Sequence, residues 1–138
     1  MILMVVDGQG GGIGAAVIKR LREVCGHDLT IYALGTNSVA TSRMMKAGAN
    51  KGATGENAIV RTAPRVDVII GPLAVIMANS MMGELTPAMA EALSTTDAAK
   101  IMIPLTQENT TVVGYQGEPL PHLVEQVVEA VRERQKNV

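Results

Sequence analysis

The residues best suited to chemistry lie near the start of the chain, where five glycines fall within the seven positions from Gly8 to Gly14. Glycine tolerates positive φ and the close approach of another group to the backbone without steric cost. An apolar strand precedes this run and a helix follows it, so the first N–H groups of the helix lack internal partners and carry partial positive charge. The pattern predicts an anion site, above all for phosphate. The predicted binding residues of the loop are Gly8, Gln9, Gly10, Gly11, Gly12, Ile13 and Gly14.

The spacing of the glycines distinguishes among known phosphate loops. The form G-x-G-x-x-G is absent, because Ile13 stands where the third glycine would fall. No Lys-Ser or Lys-Thr pair follows the last glycine, which disfavours kinase-like and ATPase chemistry. Gly8, Gly12 and Gly14 form G-x-x-x-G-I-G, which resembles the cofactor loop of short-chain dehydrogenases. The alternative at this point is that the glycines serve only the tight packing of a strand against a helix.

Other positions depart from the dehydrogenase pattern. NAD enzymes favour Asp or Glu after the second strand, where a carboxylate accepts hydrogen bonds from the ribose hydroxyls. This chain has Gly35, Thr36 and Asn37 there, and Arg43 lies too far along the next helix to serve a 2′-phosphate at that turn. The catalytic Tyr-x-x-x-Lys of those enzymes is missing as well. The ligand therefore stays open between NAD(P) and a mononucleotide or smaller phosphate ester.

Further polar residues are predicted to join the loop at one rim of the sheet. In α/β folds ligands bind beyond the carboxyl ends of the strands, where the strand order reverses. This chain has a polar turn after each predicted strand, including Thr106-Gln107, and Glu84 also falls near the rim. The predicted cofactor contacts are Thr36, Asn37, Gly71 and Pro72, with Asp7, Thr54, Glu56, Asn57 and Asn79 as additional candidates.

Asp7 stands directly before a loop predicted to hold an anion, which is unfavourable unless its charge is offset. We expect a structural aspartate that accepts hydrogen bonds from nearby backbone N–H groups. His27 and His122 are far apart and outside any ligand-spaced motif, so no metal site is predicted. No G-x-S-x-G nucleophile elbow occurs, and the sequence assigns no catalytic residue.

Composition limits the partners and the compartment. The 138 residues carry a net charge of −1 with no cluster of Lys or Arg, which disfavours nucleic acid and anionic membranes as partners. The single cysteine, Cys25, excludes an internal disulfide and suits a reducing compartment. No export signal is evident at the start, so we expect a cytoplasmic protein. The uncharged run 68–83 is shorter than a membrane span.

Strands that alternate with helices predict a single doubly wound, Rossmann-like α/β domain over residues 1–138, with helices on both faces of the sheet. We expect a mostly parallel sheet of about five to six strands in the order 3-2-1-4-5. Lys100–Leu105 and Thr111–Tyr115 should add an antiparallel hairpin at the edge. Leu73–Met82 is apolar around nearly its whole circumference, which predicts a helix covered by a second copy of the chain in a homo-oligomer.

Several strings beyond the loop carry a resemblance. DGQGGGIG, ALGTN, AGANKGATGEN, IIGP and ANSMMGE together are similar to a family of short bacterial proteins classed as a domain of unknown function, over nearly the whole chain. The resemblance implies a Rossmann-like domain and supports the place of the site, but it transfers no catalytic residue. Three functions stay open: binding of a nucleotide, dinucleotide or other phosphate-containing small molecule at the loop, an oligomeric regulatory or structural role without a nucleotide, or a small enzyme for a phosphorylated metabolite.

Overall fold

A computed structural model describes residues 1–106 and 108–137, in which helices surround one β-sheet. The strands are β1 (Ile2–Asp7), β2 (Thr30–Gly35), β3 (Lys51–Thr54), β4 (Val68–Pro72) and β5 (Ala99–Ile103). The α-helices are α1 (Gly12–Cys25), α2 (Ser38–Ala47), α3 (Glu56–Thr62), α4 (Pro87–Thr95) and α5 (Leu120–Lys136). Short 3₁₀ turns occur at Ala63–Arg65, Leu73–Ile76 and Met81–Gly83.

The sheet is parallel and has the order β3-β2-β1-β4-β5, which confirms the predicted Rossmann-like strand order. Val5 at the centre of β1 lies opposite Ala33 of β2 and Ile70 of β4. The strand order reverses between β1 and β4, where consecutive crossovers pass to opposite sides of β1. Because the strands are parallel, their carboxyl ends form one edge, and the glycine loop leaves this edge at the reversal point.

Two apolar cores, one on each face of the sheet, hold the helices in place. Alternation along β1 sends Leu3 and Val5 into the core that contains Val17 of α1 and Val127 of α5. Met4 and Val6 enter the other core, with residues of α3 and α4. Helices therefore cover both faces, as predicted. Every residue of β1 from Leu3 to Asp7 is buried, so the strand that carries the glycine loop is fixed on both sides.

The predicted antiparallel edge does not form. Thr111–Tyr115, which lies within the described range 108–137, forms no strand, and β5 is the edge of the sheet. A turn at residues 113–114, with Gly114 at φ 97°, interrupts the extended run that alternation of residue types had indicated. In the part of the chain that the structure describes, the sheet consequently contains five parallel strands and no hairpin.

The predicted helix Leu73–Met82 is also wrong. The segment forms two separate 3₁₀ turns, because Asn79, Met81 and Met82 adopt left-handed φ values of 66°, 56° and 57° that a right-handed helix cannot contain. Val75 and Met81 pack into the core, whereas Met82 is 98% exposed. None of the helices in residues 1–106 and 108–137 has the length and apolar character that crossing a membrane requires.

Candidate functional site

The glycine loop borders a cavity of about 300 Å³ at the reversal between β1 and β4. Asp7, Gln9 and Ile13 line it, together with Pro72 from the end of β4. The segment after β5 contributes Leu105, Thr106 and Glu108, and Ala74 and Met81 complete the lining. A larger cavity of about 590 Å³ lies at the opposite end of β4, next to Met1 and Asp67, and none of the predicted site residues lines it. The smaller cavity is the candidate site because it lies where α/β folds bind ligands.

Asp7 is a buried carboxylate that holds the loop in shape. Its two oxygens accept hydrogen bonds from Gly8 N at 2.8 Å and Gly14 N at 2.7 Å, and its side chain is only 4% exposed. This confirms the expectation of a structural aspartate bound to backbone N–H groups. Burial raises the pKa of Asp7 above its usual value, and the hydrogen bonds from Gly14 and Gly8 offset that rise only in part.

Glu84 is a second carboxylate that contacts the loop, and the sequence had placed it only near the rim. Its Oε1 accepts hydrogen bonds from Gln9 N at 2.9 Å, Thr36 Oγ1 at 2.6 Å and Asn37 Nδ2 at 2.8 Å. One oxygen thus joins the glycine loop to the end of β2. Burial acts to raise the pKa of Glu84, but these three hydrogen bonds outweigh it and the pKa is lowered.

Three of the five glycines are explained by packing within the chain. A Cβ at Gly8 would lie 2.5 Å from both Met81 Sδ and Thr36 Oγ1, and one at Gly14 would lie 2.5 Å from Met44 Sδ. Gly11 precedes α1 with φ 72°, and a Cβ there would lie 2.7 Å from the Cα of Ala40 in α2. These glycines allow α2 and the segment around Met81 to approach the loop, as the packing alternative requires.

Gly10 and Gly12 differ from the other three glycines. A Cβ at Gly10 would meet only Arg43 Nη1, at 3.8 Å, and the three atoms nearest to a Cβ at Gly12 all belong to the end of the same side chain, from 3.3 Å. Within residues 1–106 and 108–137 the N–H groups of Gly10 and Gly12 donate no hydrogen bond. These two positions therefore combine unused donors with the guanidinium group of Arg43 as their neighbour.

Several of the loop N–H groups that the sequence predicts to bind a ligand are used within the chain instead. Gly8 and Gly14 donate to Asp7, Gln9 donates to Glu84, and Gly11 N donates to Gly8 O at 2.9 Å. The sequence could not show this, since Glu84 lies 75 positions from Gln9. The unused donors are confined to the exposed side of the turn.

Arg43 is the residue near the loop that sequence reasoning set aside. Its Nη1 lies 3.4 Å from Gly10 O. A signal was present, because Asn37 caps α2 by accepting from Ala40 N, and Ala40 and Arg43 are three residues apart on that helix. Residues at this spacing share one helix face, so the packing of Ala40 against Gly11 also directs Arg43 toward the loop.

The remaining candidates divide into two groups. Gly71 allows β4 to approach β1, since a Cβ there would lie 2.6 Å from Val6 O, and it places Pro72 beside the cavity. The others do not line the cavity. Thr54 Oγ1 lies 2.7 Å from Thr41 Oγ1, Glu56 accepts from Thr86 Oγ1 at 2.5 Å, and Asn57 and Asn79 are exposed. Gln107 lies outside the described residues.

Comparison with known proteins assigns the chain to a protein family. No curated protein matches the chain. A solved structure titled as a dodecameric FMN-dependent Ubix-like decarboxylase from Escherichia coli O157:H7 is similar, with 15% sequence identity and a TM-score of 0.46 over 99% of this chain and 94% of that chain. The model of a family described as Domain of unknown function (DUF3842) matches residues 2–136, and the chain belongs to that family.

Proposed function

We propose that this domain binds a phosphate-containing small molecule of the nucleotide class at the reversal point of its sheet. The phosphate contacts the N–H groups of Gly10 and Gly12 and the guanidinium of Arg43. The organic part of the ligand enters the cavity of about 300 Å³ beside Ile13 and Pro72. This volume lies at the lower end of the range of roughly 300 to 1,000 Å³ for small-molecule sites.

One observation carries the proposal: the glycines that packing leaves unexplained are also those whose N–H groups have no partner in the described part of the chain. Gly12 is the first residue of α1, so its N–H points out of the positive end of the helix. A bound phosphate would supply acceptors for these N–H groups. It would also explain why Arg43 is directed at them.

Two carboxylates near the loop restrict the ligand. Asp7 directs its oxygens at the buried amides of Gly8 and Gly14, away from the exposed turn at Gly10. Glu84 keeps its charge on the β2 side of the loop. A highly charged ligand such as a triphosphate is repelled by both groups. The arrangement therefore favours a ligand with one phosphate over one with three.

Substitutions of Gly12 and Arg43 test the proposal. Wild-type protein is screened by thermal shift with AMP, FMN, NAD⁺, NADP⁺ and ATP, because a ligand of the native state raises the melting temperature. We expect a shift with at least one compound and its loss in Gly12→Val, whose side chain covers the free donors. Arg43→Ala should weaken affinity by about 10- to 100-fold, the usual loss for a charged hydrogen bond.

Arg132→Ala is the matched control, since it removes an exposed arginine on α5 and should leave binding unchanged. Both site variants should keep about the wild-type melting temperature without ligand, because the atoms nearest to a new Cβ at Gly12 belong to the flexible end of Arg43, which can move aside. A wild-type protein that responds to none of the five compounds, and from which mass spectrometry detects no phosphate compound on denaturation, would contradict the proposal.

Self-association is a second candidate role, favoured by the exposed apolar side chain of Met82 and by the packing role of three loop glycines. We propose that the segment Leu73–Met82 mediates contact between copies of the chain. This role is compatible with ligand binding, and it becomes the primary function if the binding screen fails.

A cytoplasmic location remains our proposal, on the basis of the single cysteine.

A further inference from the structure

The end of β2 is the place where a Rossmann-like domain contacts the adenosine ribose of a dinucleotide. A dinucleotide crosses the reversal point, with its diphosphate at the first turn of α1 and its two nucleosides on opposite sides. Thr36 and Asn37 follow β2 here and are the side chains placed to meet that ribose. If both side chains are free to bind a ribose, the site can accept a dinucleotide, and if they are not, it accepts a smaller ligand. The inference drawn below rests on the proposed function.

The hydrogen-bond donors of both side chains are already used. Thr36 Oγ1 donates its one proton to Glu84 Oε1 at 2.6 Å. Asn37 Nδ2 donates one proton to Gln9 O at 2.9 Å and the other to Glu84 at 2.8 Å. Asn37 Oδ1 accepts from Ala40 N at 2.9 Å as the cap of α2. Neither side chain therefore has a proton left to donate to a ribose oxygen, because both are held by Glu84.

Glu84 also places a negative charge where a dinucleotide would pass. Its three hydrogen bonds come from segments that lie 47 to 75 positions away in the sequence, so loop, strand end and turn hold it jointly. A Cβ at Gly8 would lie 3.2 Å from Glu84 Oε1, which shows how closely the carboxylate approaches the loop. A dinucleotide that continues from the loop amides toward β2 would have to displace this carboxylate from its three hydrogen bonds.

The other side of the loop is open. The cavity of about 300 Å³ lies toward β4 and β5 and includes Pro72 and Leu105 in its lining, whereas neither Thr36 nor Asn37 lines it. Its volume suits one nucleoside-sized group rather than two, given a range of roughly 300 to 1,000 Å³ for small-molecule sites. We propose that Glu84 closes the β2 side of the site, so that the domain accepts mononucleotides and excludes dinucleotides.

Isothermal titration of AMP, FMN, NAD⁺ and NADP⁺ into wild type and Glu84→Ala tests this inference. Wild type should bind a mononucleotide and neither dinucleotide. Glu84→Ala frees Thr36 and Asn37 and removes the side chain that closes the β2 side, so the ratio of dinucleotide to mononucleotide affinity should rise at least about tenfold. Glu129→Ala removes an exposed carboxylate on α5 and should leave the ratio unchanged.

Equal binding of NAD⁺ and a mononucleotide by wild type would overturn the exclusion while leaving the proposed function intact. An unchanged ratio in Glu84→Ala would do the same. If Glu84→Ala fails to fold, Glu84→Gln decides, because a neutral amide oxygen holds Gln9, Thr36 and Asn37 more weakly than the carboxylate does. A raised ratio supports the inference and an unchanged one overturns it. Failure of wild type to bind AMP and FMN would instead overturn the proposed function, and this inference with it.

Discussion

Replacing Gly11 with alanine is expected to lower the free energy of unfolding by about 2 to 4 kcal/mol. This loss is the sum of the backbone strain of a left-handed alanine and the overpacking of its Cβ. Gly11 has φ 72°, a conformation that costs an L-residue about 1 to 2 kcal/mol. The new Cβ would also lie 2.7 Å from Ala40 Cα and 2.9 Å from Ala40 O, so the backbone of α2 would have to shift. Urea unfolding followed by circular dichroism measures the loss.

Gly10→Ala is the control for this change, one position away in the same loop. Its Cβ would meet nothing nearer than Arg43 Nη1 at 3.8 Å, and its φ lies outside the left-handed region. We expect a change within about 0.5 kcal/mol. If the two variants were equally stable, the loop would not be held against α2 in the way described.

Replacing Asp7 with alanine should cost about 2 to 4 kcal/mol of unfolding free energy at neutral pH, because it leaves buried donors unsatisfied. The N–H groups of Gly8 and Gly14 would lose the carboxylate that accepts from both. The expected loss is smaller than the summed free energies of two hydrogen bonds to a carboxylate, because burial of the Asp7 charge is itself unfavourable. Thermal and urea unfolding give the magnitude, and wild-type stability in Asp7→Ala would contradict this role.

The pH dependence of stability gives an independent check on Asp7. Its pKa is raised in the folded state by burial, so the folded protein binds this proton more tightly than the unfolded chain does. Stability from this group is therefore present below the unfolded pKa of 3.8 and is lost as pH rises through the raised folded pKa. Asp7→Asn cannot titrate, so wild type should lose stability relative to this variant over that window. An opposite slope would show that the carboxylate is stabilised as the anion.

Much of the fold could be predicted because its signals are local. The turn at Gly8–Gly14, the cap at Asn37 and the cap at Thr86 each depend on residues within a few positions of one another. Alternating strands and helices then favour one strand order through the right-handed crossover rule. The role of Asp7 was also predictable, since an aspartate beside a turn readily accepts hydrogen bonds from nearby N–H groups.

The sequence could not predict which N–H groups of the loop are already hydrogen-bonded within the chain, because this depends on a long-range contact. Glu84 contacts Gln9, and it closely follows the segment Leu73–Met82, which forms two 3₁₀ turns instead of the helix that its apolar composition had indicated. Left-handed φ at Asn79, Met81 and Met82 has no local sequence signal as strong as a glycine. The same departure exposed Met82 and moved Asn79 away from the cavity. One wrongly predicted element thus altered the expected site at several positions.

In the described residues the free donors of the loop are those of Gly10 and Gly12, and we propose that a phosphate group binds them. The direct measurement is titration of ¹⁵N-labelled protein with AMP or FMN, followed through its amide resonances. We predict saturable shifts at Gly10 and Gly12, with no comparable shift at Gly114 or Gly117, which lie outside the glycine loop, between β5 and α5. Saturable binding that leaves the resonances of Gly10 and Gly12 in place, or no binding of either compound, would contradict it.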